Sequence, residues 1–215
     1  MFEDRAEAGM KLAEALKAYK GRQCYVLALP RGGVPVAAEI SRRLHSPMAL
    51  LLVRKVGLPH YPEVAMGAVI GGKDPVIIRN EDAIERAAVT SDQFERCCRA
   101  AMSEIRRREL VYPNCFKDED LKGRTVIVVD DGAATGATVK AAIRGLRSHN
   151  PAEIVVALPV APASVVDALE AESDEVVCLE MPDDVNAVGE FYADFHQLTD
   201  EEVFAHVRSA ASRRP

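Results

Sequence analysis

Two adjacent carboxylates, Asp130 and Asp131, follow the apolar run Val126-Ile127-Val128-Val129 and precede the small residues Gly132, Ala133, Ala134, Thr135, Gly136, Ala137 and Thr138. A buried strand ending in this way delivers both acids to its C-terminal edge. Small residues let successive backbone N–H groups point into one concavity. The helix that begins after them adds its positive end, and the hydroxyls of Thr135 and Thr138 complete a cradle for a phosphate. Charge-assisted hydrogen bonds contribute about 1.5–3 kcal/mol each, so a handful of them hold a phosphate monoester firmly. Ionised carboxylates only accept hydrogen bonds, so beside a phosphate they suit a ligand that presents neutral hydroxyls there, as a ribose 5-phosphate does.

The elements that must position these groups follow a βα rhythm. Apolar residues at helical spacing predict an amphipathic N-terminal helix over 2–20. A short apolar strand over 24–29 stops at Pro30-Arg31-Gly32-Gly33 and gives way to a helix over 34–44. The continuous apolar run 48–53 reads as one buried strand of a parallel sheet, ended by Arg54 and Lys55. Residues 56–63, broken by two prolines and a glycine, predict a mobile loop, and 65–78 a hairpin. A charged helical stretch, 81–110, contains Arg106, Arg107 and Arg108 and reads as a solvated helix face without chemistry. Then come a strand over 125–129, a helix over 138–149, a strand over 154–158, a helix over 163–171 and a strand over 175–179. The prediction is an α/β fold with a mostly parallel twisted sheet flanked by helices. It forms a single domain over 1–215, with a core at 24–179, a helical insertion at about 81–120, and an aperiodic piece and C-terminal helix over 180–213.

The segment from Val126 to Thr138 resembles the fingerprint of the type I phosphoribosyltransferases, which bind phosphoribosyl diphosphate (PRPP) with an apolar strand, two acidic residues and a small loop ending in T-G-x-T. The segment LPRGGVPVA is similar to that family's diphosphate loop, and the resemblance covers roughly residues 27–179. It implies that Asp130 and Asp131 bind the ribose hydroxyls and that Gly132 to Thr138 bind the 5-phosphate. Arg31, Gly32 and Gly33 would meet the diphosphate; glycines permit close backbone approach and the guanidinium offers a planar donor fork. Alone, a P-R-G-G turn is more often only a turn.

The resemblance also places Arg54, Lys55, Tyr61 and Glu63 in a closing lid, with Lys55 neutralising the leaving diphosphate. The bland alternative is that Arg54 and Lys55 merely end a strand in solvent. Mg²⁺ is the implied cofactor, held by few protein ligands, with Asp130, Asp131 and Asp194 as largely outer-sphere partners. The resemblance further implies a base-binding hood within 180–213, for which Phe191, Tyr192 and Phe195 are the candidates, as aromatic faces stack on heterocycles; the alternative is that they are core or interface residues. Catalysis would rest on Arg31, Lys55, Asp130 and Asp131. Ala134 stands where 6-oxopurine members carry an aspartate, which disfavours hypoxanthine and guanine. The long stretch from Gly72 to Leu121 departs from the adenine enzymes.

The implied activity is transfer of a phosphoribosyl group from PRPP to a nitrogenous base. The competing class is a regulator that binds PRPP or a nucleotide and transfers nothing. The P-loop, G-x-G-x-x-G, G-x-S-x-G and H-E-x-x-H patterns are all absent. Net charge is −6, and eight acidic residues with no Lys or Arg lie between Glu180 and Glu202, a poor face for nucleic acid. The scattered cysteines, Cys24, Cys97, Cys98, Cys115 and Cys178, spell neither a disulfide framework nor a zinc site. An acidic N-terminus and the lack of a long apolar run predict neither a signal peptide nor a membrane span, so the expected compartment is the cytoplasm. A homodimer is the candidate assembly.

Overall fold

A computed structural model describes residues 1–112 and 121–211. Cys115, the end of the expected insertion at 113–120 and the last residues of the expected C-terminal helix lie outside them.

Helix α1 (Arg5–Ala15) and a 3₁₀ turn (Lys17–Tyr19) lead into β1 (Cys24–Ala28), α2 (Gly33–Leu44) and β2 (Met48–Leu50). A three-stranded unit follows, β3 (Val53–Gly57), β4 (Ala65–Ile70) and β5 (Val76–Arg79), then α3 (Glu81–Arg86) and α4 (Ser91–Val111). The second half runs β6 (Thr125–Val129), α5 (Ala137–Arg147), β7 (Glu153–Val160), α6 (Ala163–Glu170), β8 (Glu175–Glu180), a 3₁₀ turn (Val188–Phe191) and α7 (Asp200–Ala211).

The main sheet has the order β2-β1-β6-β7-β8, with every pairing parallel. All five residues of β6 are buried, which is why it shows no polar alternation: Val126 and Val128 join the core on one face, and Ile127 and Val129 the core on the other. Leu12 of α1, Leu16 just beyond its end and Ile40 of α2 cover the second face, and Val139, Ile143 and Leu146 of α5 the first. The chain runs from β1 outward to β2 on one side and later from β6 outward to β7 on the other. The gap between β1 and β6 is therefore the topological switch point, where open α/β sheets bind ligands beyond the strand C-termini.

The run 48–53 is not one strand. β2 stops at Leu50, and Leu52 already turns to the second sheet, where its carbonyl accepts the Gly71 amide at 2.8 Å. Arg54 and Lys55 lie inside β3, opposite Val69 and Ala68 of the antiparallel β4, and do not end a strand. Both sheets demand apolar residues here, so hydrophobicity alone carries no mark of the crossing. β4 and β5 form the expected hairpin. The charged stretch is two helices, divided at Ala88, which takes a left-handed φ of 49°, and restarted by a capping box between Thr90 and Gln93.

Candidate active site

The two glycine-containing loops hang side by side from β1 and β6, whose ladder ends at the pair Ala28 and Val129. The Leu29 amide continues the ladder by donating to the Val129 carbonyl at 2.9 Å. Beyond it the first loop turns into α2 at Gly32, and a Cβ there would stand 2.0 Å from a carboxylate oxygen of Asp131. At Gly33 a Cβ would stand 2.5 Å from the Val129 carbonyl oxygen and 2.9 Å from the Asp130 Cα, so only glycine there lets the two loops approach this closely.

Asp131 is fixed from three directions. Its amide donates to Asp130 Oδ1 at 2.9 Å, its carbonyl accepts the Tyr192 hydroxyl at 2.6 Å, and its Oδ2 accepts Arg5 Nε at 2.8 Å. The ion pair is almost wholly shielded, with side chains 9% and 14% exposed. Arg5 in turn donates to the His196 carbonyl at 3.1 Å and lies 3.7 Å over the Phe195 ring. Burial, reinforced by the neighbouring Asp131 charge, holds the Asp130 carboxyl well above the usual carboxylate range. The two acids are therefore unequal: Asp131 has a guanidinium partner and Asp130 has none among the described residues.

In the loop that follows, the Ala133 amide donates to the Val160 carbonyl at 2.9 Å and is unavailable to a ligand. The amides of Ala134, Thr135 and Gly136 meet no protein acceptor among the described residues. Gly136 caps α5 with a left-handed φ of 67° and offers no side-chain cap, so the first-turn amides of α5 stay open as well, apart from a long contact of 3.5 Å from the Ala137 amide to the Thr135 hydroxyl. Thr135, Ala137 and Thr138 surround this opening, with Thr135 and Thr138 exposed. The arrangement can hold a phosphate.

Arg31 lies at the start of α7, with Nη1 3.7 Å from Asp200 Oδ1. The peptide joining Pro30 to Arg31 is cis. In the second sheet, Lys55 donates to the Glu63 carbonyl at 2.6 Å across the β3–β4 turn, with Tyr61 exposed at its tip. Lys55 and Thr138 line one cavity of about 270 Å³. Arg54 lines a smaller one with Pro30 and Thr138, which brings it to both glycine loops.

The aromatic trio is arranged differently from a stacking hood. Tyr192 is buried, with Phe2 and Phe195 at centroid distances of 5.4 and 5.1 Å, and Phe191 packs on the same cluster. The N-terminal segment causes this: Phe2 donates its amide to the Phe191 carbonyl at 2.7 Å and accepts from the Ala193 amide at 2.8 Å. Tyr192 is a support for the acidic pair. Asp194 accepts from His196 Nδ1 at 2.9 Å and from its amide at 3.1 Å, which holds its carboxyl below the usual range. No cluster of three metal-ligating side chains occurs among the described residues.

Residues 3–196 match the family described as the phosphoribosyl transferase domain. The chain belongs to that family. It is 40% identical over 210 residues to Mycobacterium tuberculosis proteins named "Putative phosphoribosyl transferase", from two strains, covering 98% of this chain and 47% of each of theirs. The chain thus spans about half the length of these curated relatives. The crystal structure of TT1426 from Thermus thermophilus is 40% identical, with a TM-score of 0.81 over 96% of this phosphoribosyltransferase-family chain and 97% of that one. Among the described residues no helix is long and apolar enough to cross a membrane.

Two contributors to the site, Arg5 and the Tyr192 hydroxyl, carry no sequence signal. Arg5 lies 126 positions before Asp131 in a helix whose pattern reports only amphipathicity.

Proposed function

We propose that the chain transfers the 5-phosphoribosyl group of PRPP to a nitrogenous base or related acceptor and releases diphosphate. The observation that carries this proposal is the Asp130–Asp131 pair set beside an open amide loop at the sheet's switch point, with Gly32 of the second loop against Asp131. The amides of Ala134, Thr135 and Gly136 and the hydroxyls of Thr135 and Thr138 receive the 5-phosphate. Asp131 accepts from a ribose hydroxyl while Arg5 fixes its rotamer. Asp130, adjacent to it on the same strand edge, meets the neighbouring ribose hydroxyl.

The reaction breaks the bond from the anomeric carbon to the diphosphate oxygen, whose electron pair leaves with the diphosphate. An acceptor nitrogen supplies the pair for the new bond and loses its proton. The transition state has oxocarbenium character, as in glycosyl transfer generally. Amides and guanidiniums aimed at the departing oxygens lower its energy without reorganising.

Two adjacent carboxylates without a third ligand suit Mg²⁺ held mostly by substrate oxygens and water, with Asp130 and Asp131 as its protein partners. When bound, Mg²⁺ offsets the charge that gathers on the leaving diphosphate. Asp194 is committed to His196 and stands apart from this role.

The test incubates the protein with PRPP, Mg²⁺ and a panel of bases, following diphosphate release and product mass, with Asp131→Asn as control. Turnover with one base, lost in the variant, is expected. PRPP binding without turnover on any acceptor would instead identify a PRPP-binding regulator.

A further inference from the structure

The last turns of α4 carry Arg107 and Arg108. Together with Arg31 of the first glycine loop, Tyr112 and Asp200, they line a cavity of about 130 Å³. Arg108 is shared, because it also lines the small cavity that holds Pro30, Arg54 and Thr138. One guanidinium therefore borders both anion loops.

These arginines are held in place by protein contacts. Glu104 accepts from Arg107 Nε and Nη2 at 2.9 Å each and from Arg108 Nε at 3.0 Å. Each guanidinium has five N–H donors, so Glu104 orients both without exhausting either. Asp200 accepts from the Tyr112 hydroxyl at 2.6 Å and holds Arg31 only loosely, at 3.7 Å and with both side chains more than a third exposed. A pair of that kind contributes little and exchanges readily. Three guanidiniums thus meet two carboxylates, an excess of positive charge beside the loop that faces the diphosphate.

We infer that α4 supplies part of the diphosphate site: Arg107 and Arg108, with Arg31 released from Asp200, hold the diphosphate group of PRPP and of the free product. This rests on PRPP as the donor. Planar guanidinium forks match phosphoryl oxygens, and three of them share a charge that one could not balance.

The experiment is calorimetric titration of inorganic diphosphate, ribose 5-phosphate and PRPP, each with Mg²⁺, into wild type, the double variant Arg107→Gln/Arg108→Gln and the corresponding double Lys variant. Diphosphate and PRPP affinities are expected to fall about tenfold or more in the Gln variant, with ribose 5-phosphate within about twofold of wild type and the Lys variant intermediate. Should the double variant melt early, Arg107→Gln alone, at 67% exposure, carries the test with an expected loss of about threefold. Unchanged diphosphate affinity in the Gln variants, or no diphosphate binding to wild type, overturns the inference. Arginine-dependent diphosphate binding with no binding of ribose 5-phosphate or PRPP would leave this site standing and remove the sugar-phosphate assignment instead.

Discussion

Asp130 and Asp131 are neighbours in sequence with unequal surroundings, because Arg5 pairs with Asp131 alone. Asp130 titrates higher in the folded chain than in the unfolded one, chiefly because it is buried. A carboxyl raised in this way favours the fold below its unfolded pKa and loses that contribution as pH climbs through the folded value. Asp130→Asn is therefore expected to raise the denaturation midpoint above wild type at about pH 8, with the difference shrinking toward about pH 4. The same variant should weaken PRPP binding by about tenfold or more in calorimetry, because an amide cannot replace the second carboxyl. Stability gained with binding lost marks a residue retained for its chemistry. The acidic pair itself was legible in the sequence, since an apolar strand ending in two acids and a small loop has few other uses. Their inequality was not, because Arg5 and Tyr192 come from distant elements.

Among the elements, β6, the loop after it and α5 were legible because one uninterrupted segment contains strand, turn and helix start. The hairpin of β4 and β5 showed through its glycines. The crossing at Leu51 and Leu52 did not, because both residues are buried in either sheet's environment. Closeness between elements from distant sequence is likewise invisible, and Gly32 is the clearest instance. Gly32→Ala would push a methyl into the Asp131 carboxylate, displacing it from Arg5. The expected cost is about 1–3 kcal/mol in chemical denaturation, accompanied by a fall in PRPP affinity that exceeds the fall in diphosphate affinity. Equal losses for both ligands would mean that the first loop, rather than the acid, had moved.

For the molecule as a whole, the N-terminal segment is wound into the site. Phe2 bridges Phe191 and Ala193 by backbone bonds, stacks on Tyr192, and so supports the hydroxyl that holds the Asp131 carbonyl. Such a tie joins the first residues to those near 192, a separation at which local pattern is silent, and the aromatic residues therefore read equally well as a hood. Phe2→Ala should cost about 3 kcal/mol in denaturation, since Phe2 is 2% exposed. PRPP affinity should fall with it, while Phe191→Ala, at the edge of the cluster, should cost less in both measurements.

Because the two glycine-containing loops extend from neighbouring hydrogen-bonded strands, the distance between their roots is set by the ladder that joins Ala28 to Val129. Adjacent strands keep a spacing of about 4.8 Å whatever the side chains do. The sheet edge is in effect a caliper with fixed jaws. A ligand with one anionic group in each loop would have to match that span, a length the backbone sets before any side chain is consulted.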